Sequence, residues 1–132
     1  MSVVLDSCAL AADGSGAERR KKLEGILVDH RAYVCPACVV EALYEIKTTK
    51  GRVTVDALME HYQRGEEIRI VDDRDRDLLL EALALYERGK TLPVCFTAAY
   101  ANLNDMPVVT SDLGAGDFAD LEGEGYCRVW RV

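Results

Sequence analysis

Short β-branched runs alternate with amphipathic helical stretches along the whole chain, and that alternation narrows the folds open to it. Val3-Val4-Leu5, Ala32-Tyr33-Val34, Ile68-Arg69-Ile70-Val71 and Pro107-Val108-Val109 read as short buried strands. Between them, apolar residues recur at helical spacing. Leu23, Ile26 and Leu27 do so within Ala17 to Val28, and Val39, Val40, Leu43 and Ile46 follow Pro36, a residue suited to a first helical turn. Val55, Leu58, Met59 and Tyr62 form a further helical stripe, closed by Gly65. Leu78 to Tyr86, ended by Gly89, and the Ala-rich Pro93 to Leu103 complete the set. Asp13-Gly14-Ser15-Gly16 reads as a turn. Strands separated by helices imply a parallel sheet covered on both faces. The expected fold is therefore α/β with three layers, a central mainly parallel sheet flanked by helices. Tyr126 to Val132 is expected as a closing strand at an antiparallel edge, reached from Asp112 through a Gly-rich loop.

A chain of 132 residues fits one domain, expected over 1–132, and can bury a core without staples. No apolar run approaches the ~20 residues that span a bilayer, so no membrane association is expected. The N-terminus opens directly on a strand, with neither a basic region nor a cleavage site, which reads as cytoplasmic. Five cysteines (Cys8, Cys35, Cys38, Cys95 and Cys127) are an odd number and fit reduced thiols. Neither His30 nor His61 has a partner at zinc spacing. A net charge of −7 argues against a general nucleic-acid coat protein. It leaves room for an enzyme that gathers acids at a metal and keeps its basic residues in one patch.

In open parallel sheets, ligands bind outside the carboxyl ends of the strands. Asp6 directly follows the first strand, and Asp112 comes three residues after Val109 in the fourth. Glu41, early in the helix opened by Pro36, reaches toward the same edge, and Asp117 lies on the loop beyond Asp112. Carboxylates converging on one crevice repel one another unless a cation holds them. Mg²⁺ and similar hard ions take carboxylate oxygens and keep several waters, and such an ion activates water and offsets charge on a phosphate. Ser7 and Thr110 are placed to orient these groups.

With these pieces in order, the chain resembles the PIN-domain family over essentially its whole length. The resemblance is carried by Val3-Val4-Leu5-Asp6-Ser7, by Glu41, and by Pro107-Val108-Val109-Thr110-Ser111-Asp112 followed by Asp117-Phe118. It implies a ribonuclease that hydrolyses RNA phosphodiesters with Mg²⁺ or Mn²⁺. Asp6, Glu41 and Asp112 would be the catalytic and metal-binding acids, with Asp117 a further ligand. Many small members are toxins of the VapC type paired with an antitoxin, so an antitoxin-like protein partner and a homodimer are also implied. The chain departs from the family at one position. Before its small-residue-rich run, here Phe96-Thr97-Ala98-Ala99-Tyr100-Ala101, the family has another Asp. That place falls on Val94, or on Cys95 if the alignment shifts by one, and neither is a hard oxygen ligand. The activity expected is accordingly a reduced or reorganised one, and the alternative is a degenerate PIN domain that binds RNA or protein without cleaving.

Each residue has a plainer role beside the functional one. Asp6 suits a helix cap near Cys8, Glu41 a solvated helix face (with Glu45 one turn on as a rival), and Asp112 and Asp117 a turn and a cap. Arg19, Arg20, Lys21 and Lys22, with Lys47, Lys50 and Arg52, read as solvated faces. If RNA binds, Arg19, Arg20, Lys47 and Lys50 are the phosphate contacts expected. Asp72, Asp73, Asp75 and Asp77 lack the Gly and Glu of a calcium loop and read as a helix start. The leucines from Leu78 to Leu85 read as core or as a dimer face. Cys35-Pro36-Ala37-Cys38 stands at a strand-to-helix junction, where a thiol-redox site would place its reactive thiolate. Against that role, helices go on separating the later strands.

Overall fold

The computed structural model describes residues 1–11, 17–64, 67–112 and 114–132, and leaves out the side chains of 17, 50, 52–54 and 61–63. The turn expected at 13–16 and the stop at Gly65 lie outside the described residues, as does the side chain of Lys50. Five strands form one sheet: β1 (Ser2–Leu5), β2 (Arg31–Val34), β3 (Ile68–Ile70), β4 (Val108–Thr110) and β5 (Val129–Arg131). Their order is β3-β2-β1-β4-β5, and every neighbouring pair is parallel. From β1 the chain builds outward to β2 and β3, then returns to the other flank of β1 with β4. That reversal opens a crevice between the carboxyl ends of β1 and β4, where Leu5 pairs with Val109.

The helices are α1 (Ser7–Ala11), α2 (Ala17–Asp29), α3 (Pro36–Lys50), α4 (Arg52–Arg64), α5 (Arg76–Glu87), α6 (Leu92–Asn104) and α7 (Ala119–Gly123). Pro36 opens α3, and Gly51, at φ 95°, closes it with a backbone bond back to Lys47. The Asp75 carboxylate caps α5 by accepting from the Leu78 N–H, as the acidic run had suggested. Successive residues of β1 feed two different cores, as a pleated strand in a middle layer must. Val3 and Leu5 join Leu10, Leu23, Val34, Val39 and Ala42 under α1–α4. Val4 joins Leu78, Leu85, Val94, Ala98, Phe118 and Leu121 under α5–α7. None of the described helices is long and apolar enough to cross a membrane.

Two expectations about the end of the chain are corrected. The segment after Asp112 is not only a loop: Ala115–Asp117 forms a 3-10 turn and Ala119–Gly123 a helix. Phe118 between them is fully buried and anchors the turn. This helical crossover brings β5 back parallel to β4, so the sheet has no antiparallel edge among the described residues, and the strand covers Val129–Arg131 rather than Tyr126 to Val132. The Gly-rich composition concealed a segment too short for a helical period to show.

Candidate metal-binding site at the carboxyl ends of β1 and β4

Asp6 follows β1 without a spacer. Its N–H bonds to the Val109 carbonyl at 2.9 Å, and its own carbonyl accepts from the Leu10 N–H at 2.9 Å as α1 begins. Only 2% of the residue is exposed. The Thr110 hydroxyl donates to Asp6 Oδ2 at 2.9 Å, while the backbone N–H groups of Ser7 and Cys8 also serve the carboxylate. Asp6 thus stands at the start of α1 and at the edge of the crevice, where the cap reading and the metal reading each put it. Burial pushes its pKa above the ordinary 3.8, the three donors pull it down, and the negative charge of Glu41 pushes it up further.

Glu41 arrives from α3 on the opposite wall. The Ser7 hydroxyl donates to Glu41 Oε1 and its Oγ lies 3.5 Å from Asp6 Oδ1, so one hydroxyl stands between the two carboxylates. Ser7 and Thr110, the two groups read from the sequence as orienting, thus each contact these carboxylates. Glu45, the rival to Glu41, is exposed and close enough to act electrostatically on Cys8.

Asp112 is exposed, two residues past the end of β4. Asp117 is exposed in the 3-10 turn, where its carbonyl accepts from Lys90 Nζ at 3.1 Å. Among the described residues, no group of three or more His, Cys, Asp or Glu side chains stands ready to hold a metal ion. The structure brings together Asp6 and Glu41, with Ser7 and Thr110, and leaves Asp112 and Asp117 outside that cluster. Two carboxylates suffice for a hydrated Mg²⁺, which is commonly held by one or two of them and keeps several waters. A cation would also offset the mutual repulsion and the burial of Asp6, so the residues present fit such an ion.

Three further residues border the site that sequence reasoning did not single out. Cys8 is half-buried beside Asp6, and burial with the Asp6 charge raises its thiol to about 11. Ser111 is buried at the end of β4 next to Cys8, and its hydroxyl has no well-formed hydrogen bond among the described residues. Gly114 brings the chain so close that an added Cβ would collide with Thr110 Oγ1 and lie 2.8 Å from Asp6 Oδ2 and 3.1 Å from Cys8 Sγ. The one available sign of it was a glycine two residues beyond a candidate acid.

Val94 and Cys95 both turn into the α5–α7 core, 5% and 0% exposed. Beside them, Thr97 and Cys38 form a buried polar contact at 2.9 Å between α6 and α3. The expected helix N-terminal activation of Cys35 is outweighed by burial, which raises its thiol to about 12. Cys38 is raised further still, again by burial. Burial of both thiols works against the thiolate that redox chemistry needs. Of the basic residues, Arg19, Arg20 and Lys47 are exposed, and Arg20 pairs with Glu24 at 3.1 Å. A separate cavity of about 520 Å³, bordered by Asn102, Met106, Glu122, Tyr126 and Trp130, opens at the other end of the sheet, away from the carboxylates.

This architecture is shared with known proteins. A toxin–antitoxin complex from Klebsiella pneumoniae contains a chain similar over 99% of this chain and 100% of its own, with 18% identity and a TM-score of 0.67. VapC20 of Mycobacterium tuberculosis, a sarcin-ricin loop cleaving toxin, is similar over 90% of this chain and 94% of its own, with 16% identity and a TM-score of 0.72. VapBC2 of Rickettsia felis, determined with a fragment of promoter DNA, is similar over 100% and 99%, with 11% identity and a TM-score of 0.71. At these identities the likeness is one of fold. No curated protein sequence matches. The sequence model of the PIN domain, however, matches residues 3–121, which include both Asp6 and Glu41, and the chain belongs to the PIN domain family.

Proposed function

We propose that this protein is a divalent-metal-dependent ribonuclease centred on Asp6 and Glu41. The observation that carries this reading is the pairing of those two carboxylates through Ser7, at the crevice where the sheet order reverses. Proteins keep a carboxylate this deeply buried beside another acid chiefly where function requires it. Bound there, Mg²⁺ or Mn²⁺ would supply an activated water and offset charge on the scissile phosphate. The chain's own residues define the rest. Thr110 and the first N–H groups of α1 fix the Asp6 carboxylate in one orientation. Ser7 holds Glu41 toward Asp6. Asp112 and Asp117, both exposed after β4, are the further acids proposed to join them when a metal binds. Arg19, Arg20, Lys47 and Lys50 are the proposed phosphate contacts.

The burial of Val94 and Cys95 supports a second reading, a PIN domain that binds RNA or protein with little or no cleavage. The two separate in one assay: cleavage of a mixed RNA pool with Mn²⁺, by wild type and by Asp6→Asn. Metal-dependent cleavage lost in the variant supports the nuclease, and RNA retention without cleavage in both supports the binding module. The toxin–antitoxin complexes among its structural neighbours suggest an antitoxin-like protein as a partner of this chain too.

A further inference from the structure

Tyr44 is the most exposed aromatic side chain among the described residues, at 70% against 54% for Tyr86. It sits on α3 three residues after Glu41, whose carboxylate accepts from the Ser7 hydroxyl at the crevice. Three residues further along α3 stands Lys47, also exposed. Residues three apart on a helix are surface neighbours, with about 5–6 Å between their Cβ atoms. Acid, ring and cation therefore form one ridge, running obliquely from the crevice across the outer face of α3. Val40, 69% exposed and one turn before Tyr44, widens the apolar step of that ridge. Glu45 lies off it, on the side that acts on Cys8. The inner face of α3 is buried through Cys38, Val39, Ala42 and Ile46, so the helix is packed without the Tyr44 ring. A single exposed aromatic needs no explanation by itself. This one stands between an acid of the candidate metal site and a cation.

We infer that Tyr44 is a stacking platform for an unpaired base of RNA, next to the phosphate brought to Asp6 and Glu41; this deepens the RNA-directed reading of the site and rests on it. A nucleotide strand alternates phosphate and base, and the ridge alternates in the same order. One phosphate meets the acids through a cation, the neighbouring base lies on the Tyr44 ring, and the next phosphate passes Lys47. Every base has a π face, so the ring adds affinity without choosing a sequence. It does choose a class of substrate. In a duplex the faces of each base are covered by its neighbours, and the deep, narrow major groove of A-form RNA is closed to side chains. A ring on the convex outer face of a helix meets only the sugar-phosphate exterior of such a duplex. The substrate implied is single-stranded RNA, as in a loop, a bulge or an end. A protein partner would have to supply matching groups at this spacing, whereas any unpaired strand carries them in each nucleotide.

The test is fluorescence anisotropy at low salt with a labelled oligouridylate and with the matching ribose-phosphate strand that carries no bases. It is read in EDTA, where a metal-dependent cleavage cannot intrude, and at early times in Mn²⁺. The proteins are the full chain as wild type, Tyr44→Ala, Tyr44→Leu, Tyr44→Trp and Lys47→Gln, with Mn²⁺ affinity measured by calorimetry on each. These side chains are exposed, so circular dichroism and Tm should stay close to wild type. Tyr44→Ala and Tyr44→Leu should bind the oligouridylate about ten- to hundredfold more weakly, Tyr44→Trp should stay within a few-fold of wild type, and Mn²⁺ affinity should not move. The base-free strand should bind wild type as weakly as the oligouridylate binds Tyr44→Ala, and should not respond to changes at Tyr44. Lys47→Gln should weaken both strands alike and lower the salt slope by about one. Wild-type binding of the oligouridylate by Tyr44→Ala would overturn the inference, and it is also the outcome if the ridge serves a protein partner. So would a wild type that binds the two strands equally, or that binds neither in either buffer. A wild type that takes up no Mn²⁺ yet prefers the base-bearing strand through Tyr44 would sink the nuclease and leave the platform standing.

Discussion

Gly114→Ala offers a sharp perturbation of the site because its effect follows from contact distances. The new methyl would collide with Thr110 Oγ1 and press on Asp6 Oδ2 at 2.8 Å. Thr110 is fully buried and cannot swing into solvent. Either the loop after β4 lifts, or Thr110 gives up its 2.9 Å hydrogen bond to the buried carboxylate. Losing a hydrogen bond to a charged group costs about 1.5–3 kcal/mol, and overpacking a buried site costs about 1–3 kcal/mol. A net loss of about 3 kcal/mol lowers the melting midpoint of a domain this size by roughly 10 °C. Gly116→Ala is the matched control, since no atom lies within 4 Å of its Cβ position. The control should be neutral or slightly stabilised through the unfolded chain. Urea and thermal unfolding of both variants, repeated in a Thr110→Ala background, read the effect and its coupling. With Oγ1 gone, Gly114→Ala should cost clearly less. Equal stability of Gly114→Ala and Gly116→Ala, or an undiminished cost without Oγ1, would refute the reasoning.

Burial raises the Asp6 pKa above its unfolded value, so the stability tied to its protonation is complete below about 3.8 and lost as pH rises through the folded value. In EDTA at pH 7, Asp6→Asn should therefore melt above wild type, with the gap closing toward pH 4; a lower melting point at pH 7 would contradict this. Val94→Asp places an unpartnered carboxylate in the core and should cost about 3–5 kcal/mol in metal-free protein. Measured in chemical denaturation, a neutral effect would show that position 94 opens to the crevice instead. Phe118→Ala empties a fully buried site under α7 and should cost about 3–5 kcal/mol, and a loss under 1 kcal/mol would mean the turn after β4 is anchored elsewhere.

Most of the sheet was legible because its strands are short β-branched runs between amphipathic helices, where the change of period marks each boundary. The direction of the last strand was not, because it depends on α7, a five-residue helix whose Gly-rich surroundings resemble a loop. Asp6 and Glu41 were legible as acids placed by strand end and helix start, and the fold brings them together across α1 and α3. Asp112 was read from the same logic, but strand position fixes only the backbone. Two residues past β4, its side chain is turned toward solvent. Gly114 and Ser111 were hidden because their importance is one of contact distance, which sequence spacing does not encode. The C-x-x-C motif was legible as a pattern and misleading as chemistry, since burial raises both thiols despite the helix start.

The proposed ribonuclease rests on Asp6 and Glu41 holding a divalent ion together. Calorimetric titration of Mn²⁺ into wild type, Asp6→Asn and Glu41→Gln, with RNA cleavage assayed on the same samples, tests it most directly. Wild type should show measurable binding and metal-dependent cleavage, with both lost or sharply weakened in either variant. A wild-type protein that binds no Mn²⁺, or variants that bind and cleave as well as wild type, would contradict it.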